Sequence, residues 1–295
     1  MAIVDRAGRR AGAPPATALL LLAIVSFQLG AALATHLFAS AGVPGAVFLR
    51  NALGAAVLLP FARPRLRGRS RSDVASLVLL GVLLATMNGS FYEALDRLPQ
   101  GVVVTVEFLG PLSVAVLTSR RRLDLVWVTM AAAGVVLFAG NVGGARTHLV
   151  GLLFGLAAAA AWAGYILAVQ RVGRLWPGYD GLAGSLVVSA LLLAPLGAGP
   201  ALAAVATPRI LALAVAVATF STALPYMMEF SALRRMPARV YGVLTSLEPV
   251  AAAAMGLVVL GQHLRLVELV ACVLVIGASI GAAQTGAGPA EITPA

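Results

Sequence analysis

Apolar windows long enough to cross about 30 Å of hydrocarbon recur along nearly the whole chain, leaving almost no length for a domain in water. Ten can be laid out: 17–39, 43–62, 74–95, 101–119, 123–140, 149–170, 181–199, 209–232, 239–260 and 264–284. The expected fold class is therefore an all-α membrane protein with ten transmembrane helices. Composition agrees, since 60% of residues are hydrophobic and only 11% are charged, which excludes an ordinary soluble domain. The single cysteine, Cys272, falls in the last window, so no disulfide can form within the chain.

A net charge of +10 could suggest a nucleic-acid partner, but the distribution of the charge argues for topology instead. There are 21 basic residues, all arginine. Sixteen lie before the first window or in alternate loops: three at the N-terminus, five in RPRLRGRSR, RRR at 120–122, Arg171 with Arg174, and Arg234, Arg235 and Arg239. Only Arg97, Arg146, Arg209 and Arg265 fall in the other loops. The positive-inside rule then puts both termini in the cytoplasm, with anionic lipid headgroups as the neighbours of the basic loops and no nucleic acid as partner. Arg9-Arg10, the apolar run and Ala32-Leu33-Ala34 resemble an export signal. That run is longer than a signal core, and nine windows follow it, so it is expected to stay as the first span.

Shifted by 138 residues, ALDRLPQGVVVTVEFLGPLSVA (94–115) lands on ALRRMPARVYGVLTSLEPVAAA (232–253), with prolines aligned at 99/237 and 111/249. A weaker match at 134 puts Gly30 on Gly164. The chain is thus expected to be two five-span units, 1–142 and 143–286, followed by a cytoplasmic tail, 287–295. Five is odd, so the second unit enters the membrane from the opposite side. Inverted repeats are a transporter architecture, with substrate bound near the midplane and access alternating between the two faces.

Polar groups inside the windows are the candidate site. Arg50 and Glu107 each lie about seven residues from the outer end of their spans, roughly 10 Å down at 1.5 Å per residue. Level opposite charges in a bilayer either pair with each other or face a common cavity. In the first case they pin two helices, and in the second Arg50 meets a substrate carboxylate and Glu107 an ammonium or a proton. Pro111, Pro225 and Pro249 have no N–H, which frees the carbonyls of Glu107, Ser221 and Thr245 for other partners. Tyr241, Thr245, Glu248 and Ala252 recur at helical spacing on one face of the ninth span. Glu248, near the midplane with no basic partner in its own span, is the expected proton carrier, because withdrawal from water disfavours a bare charge. Thr222, Pro225 and Glu229 share a face of the eighth span. Glu93 and Glu229 are read either as interfacial carboxylates or as a pair of gates. Asn88 with Tyr92, Ser26 with Gln28, and Trp162 with Tyr165 are further candidates for a cavity lining. His36, His148 and His263 have no ligand-like spacing, so no metal site is expected. With no phosphate-cradling loop and no nucleophile motif, neither an enzyme nor a cofactor is expected, and transport should run on a gradient.

These residues resemble a known family. QLGAALATHLF (28–38), PGAVFLRNALG (44–54), VEFLGPLSVAVLTSRR (106–121), STALPYMME (221–229) and ALRRMPARVYGVLTSLEPVAAA (232–253) are similar to the EamA repeats of the drug/metabolite transporter superfamily, in its threonine/homoserine exporter branch. The resemblance covers about residues 15–284. It implies two inverted five-helix EamA repeats and proton-coupled efflux of small neutral amino acids across a bacterial inner membrane. The partners implied are the amino acid, protons and lipids, and a homodimer is left open. One departure stands out: where such sequences usually read LGE after the ninth span, this one reads LGQH, with an amide at Gln262. The alternative function is efflux of another metabolite or a cationic drug, with Arg50 then structural.

Overall fold

The computed structural model describes residues 15–118, 123–141, 146–233 and 244–285, and among them there is no strand. In chain order the helices are α1 (Ala16–Leu58), α2 (Arg71–Leu95), α3 (Gln100–Glu107), α4 (Leu109–Thr118), α5 (Leu123–Asn141), α6 (Arg146–Leu175) and α7 (Asp180–Val205). Then come α8 (Pro208–Ala218), a π turn (Thr219–Ala223), α9 (Leu224–Leu233), α10 (Glu248–Leu260) and α11 (Leu266–Thr285).

The 43 residues of α1 would measure about 65 Å at 1.5 Å each, twice a bilayer core. They do not run straight. Gly42 has φ 64° and ψ 170°, a conformation open to a residue without Cβ, and Pro44 follows it. The chain reverses there, because Ser26 and Arg50, on opposite sides of Gly42, both reach the π turn at Thr219–Ala223. The first two expected spans are thus the two arms of one helical hairpin.

Local chemistry sets several other ends. Ser70 Oγ accepts from the Asp73 N–H at 3.1 Å while the Asp73 carboxylate accepts from the Ser70 N–H at 3.2 Å, a reciprocal cap that starts α2. Gly261, at φ 65°, stops α10, and the Gln262 N–H returns to the Gly256 carbonyl at 2.9 Å. Arg69 closes the end of α6 by donating to the Leu175 carbonyl at 2.7 Å, with its guanidinium 4.6 Å from the Trp176 ring.

Two expected spans prove discontinuous. The fourth splits at Phe108 into α3 and α4, three residues before Pro111. In the ninth, a turn at Ser246 and Leu247 precedes α10, so Glu248 stands in the first turn of a helix rather than deep within a continuous span. Proline explains the second break: Pro249 has no N–H to give to an earlier turn and is favoured where a helix begins.

Among the described residues, five helical stretches can cross a membrane by length and composition: Ala16–Phe61, Arg71–Leu95, His148–Leu175, Asp180–Val205 and Pro208–Glu229. Shorter apolar helices accompany them at Gln100–Val114, Val126–Leu137, Glu248–Leu260 and Leu266–Gly281. The outer surface carries large apolar side chains, with Leu196 75% and Val258 77% exposed, as suits a lipid solvent and not water.

The second arm of α1 packs on α7, α2 on α6 and α7, and α1 on α8, the π turn and α9. α3 packs on α10, and α5 on α11. Backbones come very close: a Cβ on Gly197 would lie 2.4 Å from the Pro44 carbonyl oxygen, and one on Gly30 2.5 Å from Ser221 N. One large apolar cluster gathers Leu37, Val47, Phe91, Leu95 and Val102 to Val104, and another gathers Leu58, Leu80, Leu84, Trp176 and Leu186. Between α1, α2 and α7 sits a buried amide cluster, in which Asn51 Oδ1 accepts from Asn88 Nδ2 and from Ser189 Oγ, each at 3.1 Å.

Candidate functional site

A cavity of about 60 Å³ opens among the first arm of α1, α2, α3, α6, α9 and α10. At roughly 10–15 Å³ for each water, it has room for about four to six water molecules. Its apolar wall is Leu20, Ala23, Ile24, Phe27, Met87 and Pro225; its polar and aromatic wall is Glu107, Trp162, Tyr165, Tyr226, Glu229 and Glu248. Each element delivers its side chain for a local reason. Glu107 is the last residue of α3, where the helix stops. Glu248 opens α10, and Tyr226 with Glu229 sits on the first turns of α9, just past the π turn. The Trp162 ring is held edge-on by Phe108 at 5.2 Å.

Three carboxylates therefore share one small space. Glu248 feels the charges of both Glu229 and Glu107. Among the described residues, the Glu107 and Glu248 carboxylates have no hydrogen-bond or ion-pair partner. Like charges at such range are costly unless a proton or a cation joins them. The arrangement can accept an ammonium group or protons, and it repels anions.

Arg50 stands one layer behind this wall. Fully buried, it donates from Nε to Thr222 Oγ1 at 3.1 Å and from Nη2 to the Ser221 carbonyl at 3.0 Å. The Ser221 carbonyl is one that Pro225 frees, so the expected orphan has found its partner. The guanidinium lies 5.0 Å from the ring centre of Phe27 and 5.3 Å from that of Tyr92, a pair of cation–π contacts. Its Nη1 has no hydrogen-bond partner. Arg50 and Glu107 are close enough for the arginine charge to act on the carboxylate, but they form no ion pair.

The expected residues thus separate into groups. Glu107, Trp162, Tyr165, Glu229 and Glu248 meet in the cavity. Gln28 is fully buried elsewhere, where Gln100 Nε2 donates to its carbonyl at 2.8 Å and to its Oε1 at 3.0 Å. Asn88 is committed to Asn51, and Ser26 donates to the Phe220 carbonyl at 2.8 Å. Thr245 is buried but lies outside the cavity wall, and Tyr241 lies outside the described residues. Glu93 lies outside the cavity wall and pairs with Arg97 at 2.6 Å. Phe27, Met87 and Tyr226 join the wall unforeseen. The spacing rule contained Tyr226, because 222, 226 and 229 are four and three apart on the face already assigned to Thr222 and Glu229.

The departure at Gln262 also has a structural role. Its Oε1 accepts from the backbone N–H of Gln100 at 3.0 Å, which caps the first residue of α3 from the loop beyond α10. A carboxylate could accept the same bond, so an amide here keeps the cap.

Comparison with known proteins agrees with this picture. Residues 149–283 match the model of the EamA-like transporter family. The threonine/homoserine exporter RhtA of Escherichia coli strain K12 is 40% identical over 269 residues, 90% of each chain. RhtA of Salmonella typhimurium strain LT2 is 40% identical over 268 residues, again 90% of each. The uncharacterized transporter YwfM of Bacillus subtilis strain 168 is 27% identical over 194 residues, 63% of this chain and 65% of the other. A solved crystal structure superposes with a TM-score of 0.55 at 21% identity, over 90% of this chain and 96% of that one, a likeness of fold alone. The carboxylate cavity inside an apolar helical bundle, with this degree of identity along nearly the full length, identifies a multi-pass membrane transporter and not an enzyme: the chain belongs to the EamA-like transporter family, in the branch of the RhtA exporters.

Proposed function

We propose that the protein is a secondary active exporter of threonine, homoserine and similar small neutral amino acids, coupled to protons and working by alternating access in a bacterial inner membrane. The observation that carries this reading is the 40% identity over 90% of the chain to exporters of that name. The chemistry fits. The substrate ammonium goes to Glu107, and its carboxylate goes toward Arg50. Glu248 takes the proton, so that a proton and a substrate alternate among carboxylates too close together to stay bare.

The chain is two inverted five-span units, 1–142 and 143–286, with both termini and the 287–295 tail in the cytoplasm. Two features support the repeat. The breaks at Phe108 and Ser246 are 138 residues apart, the offset of the sequence match, and each lies just before an aligned proline. Helix neighbours also exchange under it. The first span against the eighth corresponds to the sixth against the third, and the pairs four with nine and five with ten map onto themselves. Discontinuous helices at corresponding places in two halves are where such transporters hold their substrates.

The test is uptake of radiolabelled threonine and homoserine into inverted membrane vesicles under an imposed pH gradient. Accumulation above vesicles lacking the protein is expected. Failure of both amino acids, with uptake of a cationic dye, would transfer the function to drug efflux and leave Arg50 structural.

A further inference from the structure

Three buried hydrogen-bonding groups in one region lack a well-formed hydrogen bond. They are Arg50 Nη1, the Tyr92 hydroxyl, which has the Arg50 and Ser221 side chains as neighbours, and the Tyr226 hydroxyl. Arg50 and Tyr92 are fully buried and Tyr226 is 7% exposed, so bulk water does not serve them. Unpaired buried donors are rare and each needs a reason. These three come from different elements, the second arm of α1, α2 and α9, yet they lie near one another. The Tyr92 ring centre is 5.3 Å from the guanidinium, and the Tyr226 phenol is within electrostatic reach of Arg50. The rest of the arginine fork is occupied, Nε by Thr222 and Nη2 by Ser221. Nη1 alone remains for a ligand. The carboxylates that also act on Tyr226, Glu229 and Glu107, do not pair with Arg50.

The complement of three donors and one positive charge is a monoanion carrying two oxygens. A dianion such as phosphate would meet the three cavity carboxylates unfavourably. We propose that Arg50, Tyr92 and Tyr226 form the subsite for the carboxylate of the transported amino acid, entered from the cavity past Phe27. One carboxylate oxygen takes Nη1–H and one phenol, and the other oxygen takes the second phenol. The substrate ammonium then projects back into the cavity toward Glu107 and Glu248. Tyr226 and Phe27 line the cavity while Arg50 does not, so Phe27 must swing aside for the carboxylate to enter.

This inference rests on the amino-acid reading above, and the experiment separates the two. In proteoliposomes, unlabelled threonine and threoninol, which lacks the carboxylate, compete against labelled threonine in counterflow for the wild type, Tyr92→Phe, Tyr226→Phe and the double variant. Each lost hydrogen bond to a charged group should cut the preference for threonine over threoninol about tenfold. A variant that is merely misfolded weakens both competitors alike and leaves their ratio intact. An unchanged ratio in both single variants overturns the subsite while export stands. If the wild type carries neither threonine nor homoserine, the amino-acid reading falls and thermal stabilisation of the purified protein by glycine, a zwitterion with no net charge, decides whether the three groups hold a carboxylate. Stabilisation that the double variant loses upholds the subsite; no stabilisation of the wild type overturns it.

Discussion

Replacing Gly30 by alanine tests whether the α1 hairpin and the π turn are locked together. A Cβ there would sit 2.5 Å from Ser221 N, 2.7 Å from Ser221 Cβ and 2.8 Å from the Phe220 carbonyl carbon, so two of the three obstacles are backbone. Reaching an ordinary 3.4 Å contact needs a shift of about 0.9 Å between the segments. Moved that far along their lines, the Arg50 Nη2 bond to Ser221 at 3.0 Å and the Ser26 bond to Phe220 at 2.8 Å both pass beyond hydrogen-bonding range. Overpacking costs about 1–3 kcal/mol, the charged hydrogen bond about 1.5–3 and the neutral one about 1, a total of about 3.5–7 kcal/mol. Gly164→Ala is the matched control, since the nearest atom to its Cβ would be Leu83 Cδ2 at 2.8 Å, the far end of a side chain that can rotate away. It should cost less than about 1 kcal/mol. The gain of alanine over glycine in a helix, up to about 1 kcal/mol, applies to both. The assay is the temperature at which detergent-purified protein loses its monodisperse peak in size-exclusion chromatography. Equal melting of the two variants, or a lower value for Gly164→Ala, would refute the lock.

Three further outcomes are expected. Glu248→Gln should abolish transport driven by a pH gradient while leaving exchange of labelled for unlabelled substrate largely intact, whereas Glu107→Gln should weaken both, measured as two fluxes in the same proteoliposomes. An alkaline phosphatase fusion after Arg146 should be active and one after Arg122 inactive; the opposite result would invert the orientation. Gln262→Ala removes the acceptor that caps α3 and should lower stability by about 1 kcal/mol, while Gln262→Glu, which still accepts from the Gln100 N–H, should melt near the wild type.

The membrane class was legible because apolar length is a property of sequence alone. Much of the cavity was legible too, because a carboxylate in an apolar window is costly enough to need a purpose, and Glu107, Glu229 and Glu248 do converge. Depth along a span, however, gave no information about direction around it. Arg50 and Glu107 are level by counting, yet Arg50 turns to the π turn and Glu107 to the cavity. Gln28 and Asn88 look like lining because they are polar; their partners Gln100 and Asn51 are 72 and 37 residues away, and only the packed helices bring those pairs together. The π turn itself was hidden, since one extra residue in a helical turn leaves no trace in hydrophobic spacing beyond the Pro225 that follows it.

The partners of Arg50 also impose an order in time. Ser221 and Thr222 lie 171 and 172 residues later in the chain. At about 5–20 residues per second, synthesis delivers them roughly 10–35 s after Arg50. During that interval the guanidinium has entered a membrane-bound segment without the two acceptors that will hold it, at a penalty of about 2.5–3.5 kcal/mol on insertion scales. The Ser26 bond to Phe220 spans 194 residues and waits as long. The α1 hairpin must therefore remain loose, with Arg50 kept near water or lipid headgroups, until α8 and the π turn arrive and close over it. Residues 1–142 produced alone lack Phe220, Ser221 and Thr222, and should be cleared by membrane proteases unless the rest of the chain is supplied alongside.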